Sequence, residues 1–132
     1  MISVHLAVRL KNAGLPWKPA SGDRFVVADR GMDAEVFVVS QLTIELRDTP
    51  TGPVFQFNGT TEWALDTVEQ AAVVWLPHEE QLRTALGTAF RRLEPLGDGW
   101  VVTVERDGRA IREVDVDAER AYARALLAVL GP

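Results

Sequence analysis

The sequence predicts an α+β protein: a single domain over residues 1–132, with a largely antiparallel sheet of about six to eight strands and three helices. Three observations predict it. Apolar residues recur at helical spacing in three separated segments. The stretches between them alternate or run apolar over short spans bounded by Gly, Pro, Asn and Asp. Finally, short turns join strand to strand, which favours antiparallel neighbours with helices on one face.

Ser3 is placed to cap the first helix, in which Leu6, Leu10 and Ala13, with Val4 and Val8, fall on adjoining stripes. Gly14 suits the left-handed position that ends it, and Leu15 can fold back on the last turn. Pro16 and Pro19 hold residues 15–19 extended. Ser21-Gly22-Asp23 reads as a turn, residues 24–28 as a strand with Phe25 and Val27 on one face, and residues 29–34 as a polar loop.

Residues 35–40 are rich in Val and Phe, and residues 42–47 alternate with Leu42, Ile44 and Leu46 on one side, the pattern of a half-buried antiparallel strand. Residues 48–53 form a turn by composition. Residues 54–57 are a short strand that Asn58-Gly59 ends, and this dipeptide predicts a tight hairpin with residues 60–65 returning; a short helix from Thr60 or Thr61 is the alternative. Residues 72–76 are apolar throughout, which predicts a central strand.

Pro77 suits the first position of a second helix, with Glu79 and Glu80 in its first turn and Leu82, Ala85, Leu86, Ala89 and Phe90 as its buried stripe. Gly97-Asp98-Gly99 leads into residues 100–105 and 109–114, which flank Asp107-Gly108 and form the clearest hairpin. Asp115 or Asp117 caps the last helix, whose buried face is Ala118, Ala121, Tyr122, Ala125, Leu126 and Val129. No linker, internal repeat or low-complexity tract interrupts the 132 residues.

Composition bounds the function. Hydrophobic residues are 47% and charged residues 25%, an ordinary globular mixture. A net charge of −5 argues against a general nucleic-acid or anionic-membrane surface. Arg91 and Arg92, with Arg83, are the local basic cluster, read as exposed charges at a helix end. There is no apolar run long enough for a membrane helix and no basic-then-apolar leader, and no cysteine is present; together these predict a cytoplasmic protein.

The residues offer little catalytic machinery. No phosphate-binding glycine loop is present, and the two histidines, His5 and His78, stand in separate helices without a partner at metal-ligand spacing. Ser3, Ser21 and Ser40 sit at cap or turn positions. Glu62, Asp66 and Asp23 are the carboxylates open to acid–base work. No cofactor, metal or catalytic residue is expected.

Two stretches stand apart: Gly14-Leu15-Pro16-Trp17-Lys18-Pro19 with Gly22-Asp23-Arg24-Phe25, and residues 57–66 leading to Trp75-Leu76-Pro77. They hold three of the four tryptophans. Tryptophan fills cores or anchors partners through a rigid face with one N–H donor. The candidate binding residues are therefore Trp17, Asp23, Asn58, Thr60, Glu62 and Trp63.

With Gln81-Leu82-Arg83, these stretches carry a likeness over nearly the whole chain. It resembles a family of short, mostly actinobacterial proteins of unassigned chemistry, some labelled pilus assembly protein CpaE. The resemblance implies one domain and no catalytic residue. The expectation is a non-enzymatic module that binds a protein or a small molecule. The alternatives are a small carboxylate-dependent hydrolase or transferase, and a structural homodimer subunit pairing through residues 42–47.

Overall fold

The computed structural model describes residues 1–27, 32–40, 44–50, 52–57, 67–69 and 73–131. The chain divides into two compact units, residues 1–16 with 76–132 and residues 17–75. Among the described residues the fold is α+β with three α-helices. The expected single sheet of six to eight strands is corrected: the described strands form three separate three-stranded sheets. Among the described residues, no helix is long and apolar enough to cross a membrane.

In the first unit, α1 spans Val4–Asn12, and the Ser3 side chain accepts from the Leu6 N–H at 3.2 Å. Its end is closed by two bonds, from the Gly14 N–H to the Lys11 carbonyl and from the Leu15 N–H to the Leu10 carbonyl. This pairing needs a left-handed residue after the cap, and Gly14 supplies it at φ 96°. Leu6, Ala7 and Leu10 form the buried side, with Ala7 in the place expected for Ala13, which is exposed.

Helix α2 spans Glu79–Leu86. His78 is its N-cap and lies half-buried, so Pro77 precedes the cap instead of occupying the first turn. The His78 N–H donates to Gln81 Oε1 at 2.9 Å, which satisfies a donor the helix start leaves open. The expected stripe is too long. A 3-10 turn over Gly87–Ala89 ends the helix, and Gly87 at φ 56° breaks the α geometry. Ala85 is exposed, and Phe90 begins a strand.

That strand, β7 (Phe90–Leu96), is absent from the sequence reading, which placed Arg91 and Arg92 at a helix end. It pairs with β8 (Gly99–Arg106), which pairs with β9 (Arg109–Asp115). Pro95 is tolerated because β7 is an edge strand, where a missing N–H costs no ladder bond. On β7, Arg91 reaches Glu105 at 3.0 Å and Arg92 reaches Glu94 at 2.6 Å.

Both hairpins use two-residue loops. At the expected hairpin, Asp107 (φ 53°) and Gly108 (φ 77°) are both left-handed, as a type I′ turn requires. Helix α3, Ala118–Leu130, starts from the Asp117 cap and packs on β8 and β9, while α1 and α2 pack against α3. Its side toward the sheet is set by Tyr122, stacked on Phe90, and by Arg106, which donates to the Ala128 carbonyl at 2.7 Å.

Gly99 has a steric role. A β-carbon there would lie 2.6 Å from the Asp115 carbonyl oxygen and 3.0 Å from the Val116 Cα, both backbone atoms. The β9-to-α3 connection therefore passes directly over it. Gly99→Ala is expected to lower stability by about 1–2 kcal/mol, the range for overpacking against atoms that cannot rotate away. Urea unfolding checks this, and an unchanged midpoint would show that the connection shifts freely.

The second unit holds two sheets. One has the order β2-β1-β6, from β1 (Arg24–Val27), β2 (Met32–Val38) and β6 (Val73–Leu76). The loop expected at residues 29–34 is shorter, because β2 already begins at Met32, paired with Val27. Strand β6 lies at the end of this order and not at its centre, although Val73, Val74 and Leu76 are all buried.

The other sheet has the order β3-β4-β5, from β3 (Ile44–Thr49), β4 (Gly52–Phe57) and β5 (Thr67–Glu69). Thr49 pairs with Gly52, so the turn expected over residues 48–53 contracts to two residues. Gln56 faces Glu45 on one side and Thr67 on the other. A tight Asn58-Gly59 hairpin would need Thr61 in the place Thr67 holds, so that hairpin register is overturned. Residues 58–66 themselves lie outside the described residues.

Candidate functional site

The turn that delivers Asp23 is built from short-range chemistry. The Asp23 N–H donates to the Ala20 carbonyl at 3.0 Å across Ser21-Gly22, and Gly22 at φ 94° provides the left-handed third position of a type II turn. Two further backbone bonds extend the β1–β2 ladder beyond this turn. The Gly22 N–H donates to the Val39 carbonyl, and the Val39 N–H to the Asp23 carbonyl, both at 2.9 Å.

Asp23 is 5% exposed. Burial of a carboxylate demands donors, and its Oδ2 accepts from Trp17 Nε1 at 2.9 Å and from the Ala20 N–H at 3.0 Å. The side chain thus ties the proline-flanked Trp17 segment to the start of β1.

Trp17 is half-buried. Its ring lies parallel to that of Trp75, with centroids 5.9 Å apart and 4° between planes, the offset stack that the ring quadrupoles favour. Phe25 meets Trp17 at 6.2 Å with a 43° tilt, and Phe25 stacks on Phe37 at 5.6 Å. Phe25 and Phe37 are register partners of β1 and β2. An aromatic row therefore runs Trp75, Trp17, Phe25, Phe37. The Nε1 of Trp75 is buried with no hydrogen-bond partner among the described residues.

Of the residues singled out in the sequence, the structure brings Trp17 and Asp23 together. Asn58, Thr60, Glu62 and Trp63, like Asp66, lie outside the described residues. Sequence reasoning did not pair Trp17 with Trp75, which are far apart along the chain. The only signal was that both belong to its two distinctive stretches.

In the first unit, Asp115 and Tyr122 make charged and polar contacts with α3 and α2. The Asp115 carboxylate accepts from Arg120 and Arg124, each at 2.9 Å, and from the Asp117 N–H at 3.1 Å. Burial alone would raise its pKa. The Asp117 N–H and the Arg124 and Arg120 guanidiniums outweigh burial and hold it below the usual carboxylate value. The Tyr122 phenol is raised, first by burial and then by the neighbouring Glu79 carboxylate, with Arg83 opposing.

Among the described residues, no group of three or more His, Asp or Glu side chains is placed to hold a metal ion. One end of the β7-β8-β9 sheet carries Leu96, Trp100, Val114 and Val116, exposed by 48%, 37%, 50% and 68%. With Met1, these are the exposed large hydrophobic residues among the described residues of the first unit. Comparisons of the chain with protein-family models, curated proteins and solved structures found no match.

Proposed function

We propose that the chain is a non-enzymatic module that binds a protein segment or a small ligand, with the indole pair of Trp17 and Trp75 as its recognition element. One observation supports this reading: Trp17 is only half-buried yet held from two sides, by Asp23 at its N–H and by Trp75 on its ring. A rigid aromatic loses little side-chain entropy on association, which is why such residues carry much of the energy of recognition surfaces. Asp23 serves here as a brace for the loop. Its Oδ2 is committed to the Trp17 and Ala20 N–H groups, so the carboxylate acts as a structural anchor of this surface.

The test is capture from extract of the source cells with the immobilised wild-type chain and with Trp17→Phe. Phenylalanine keeps an apolar ring for Trp75 but removes the indole N–H and part of the ring area. Molecules retained by the wild type should be lost from the variant while its melting temperature falls by only a few degrees. An identical retained set would confine the indole pair to packing.

A further inference from the structure

We propose that two copies of this chain associate through β9, which pairs antiparallel with its own copy across a two-fold axis at Ile111. Among the described residues, β9 has a neighbouring strand on one side only. The two edges of its sheet are unlike. Strand β7 carries Pro95 and a register break between Phe90 and Arg92, two devices that blunt an edge against further pairing. Strand β9 runs from Arg109 to Asp115 with no break in register and no proline.

The geometry selects the register. The two-residue loop closes on Arg106 and Arg109, a hydrogen-bonded pair, so by alternation Arg109, Ile111, Glu113 and Asp115 turn their backbone groups toward β8. Ala110, Arg112 and Val114 turn theirs outward. Residues opposite one another in an antiparallel pair share a face, so a two-fold axis between identical strands must pass through a residue.

An axis at Ile111 sets Arg109 opposite Glu113 twice, Ala110 opposite Arg112 twice, and Ile111 opposite itself. An axis at Glu113 opposes two carboxylates. An axis at Arg112 opposes two guanidiniums and calls on Asp115, whose carboxylate already holds Arg120 and Arg124. An axis at Ala110 sets Asp107 against Glu113. Like charges directly opposite destabilise a ladder, so the Ile111 register is favoured. Its one acidic pair, Asp107 with Asp115, falls where Asp107 leaves the strand at φ 53° and Asp115 is neutralised by its two arginines.

The experiment is sedimentation equilibrium of the full chain over a wide concentration range, with unfolding midpoints measured in parallel. The wild type should approach twice the monomer mass. Glu113→Lys, which sets like charges opposite Arg109, should remain monomeric. Arg109→Glu combined with Glu113→Lys restores opposite charges and should restore the doubled mass. Arg112→Pro removes an outward N–H without breaking the β8 ladder and should abolish pairing.

A monomeric mass for the folded wild type at every concentration overturns the proposal. So does a dimer that survives both Glu113→Lys and Arg112→Pro. This result is independent of the Trp17 capture experiment, which concerns the other unit.

Discussion

Replacing Tyr122 by alanine should destabilise the protein by about 3–5 kcal/mol, the range for deleting a fully buried aromatic side chain. Among the described residues Tyr122 is the largest fully buried side chain, and it stands where α3 meets Phe90 of β7. Its phenol reaches Glu79 and Arg83 of α2. One residue therefore joins α2, α3 and the sheet. Tyr122→Phe separates the two contributions. It keeps the ring and removes the hydroxyl, and should lower stability by about 1 kcal/mol, as expected for one lost hydrogen bond. Urea unfolding of the three proteins measures both numbers. Equal losses for the two variants would show that the hydroxyl, not the ring volume, dominates.

Asp115→Asn should lower stability by about 2–3 kcal/mol near neutral pH, because it removes the charge that holds Arg120 and Arg124. The Asp115 side chain is 9% exposed and the two arginines are 34% and 42% exposed, so solvent screens part of the interaction. The pH dependence follows from the lowered carboxyl pKa. A depressed folded-state pKa contributes stability that is fully present above the unfolded value, about 4, and is lost as pH falls through the folded value. Wild type and Asp115→Asn should therefore keep their full separation above about pH 5 and draw steadily together as pH falls below about 4. Unfolding midpoints across this range test the sign. A gap that stays constant with pH would mean that Asp115 acts through its shape alone.

Residues 115–117 illustrate how far composition reaches. Either aspartate suits an N-cap, and sequence alone leaves both open. The structure assigns the cap to Asp117, which accepts from the Arg120 N–H at 3.0 Å, and gives Asp115 the two guanidiniums. The difference depends on β9 ending at Asp115, which sets that side chain on the α3 face of the sheet.

Strand β7 shows the opposite limit. With two arginines, a glutamate and a proline among seven residues, Phe90–Leu96 has little strand character of its own. Its extended state follows from pairing with β8, whose Val101, Val102 and Val104 are buried. The same holds for Asn58-Gly59. The dipeptide favours a tight turn locally, but the neighbour of Gln56 is Thr67, chosen by the sheet as a whole.

Sequence by itself determined the features that depend on a few adjacent residues: the Ser3 cap and Gly14 stop of α1, the Asp107-Gly108 turn, the Asp117 option for α3, and the α+β class with three helices. Tertiary structure alone decided which strands join which, splitting them into three sheets, where α2 yields to β7, and the meeting of Trp17 with Trp75 and Asp23. The reason is range. Caps and turns are satisfied by hydrogen bonds within a few residues, whereas a strand edge or an indole face is satisfied by whichever distant segment buries it best, and that choice is made by the folded chain together.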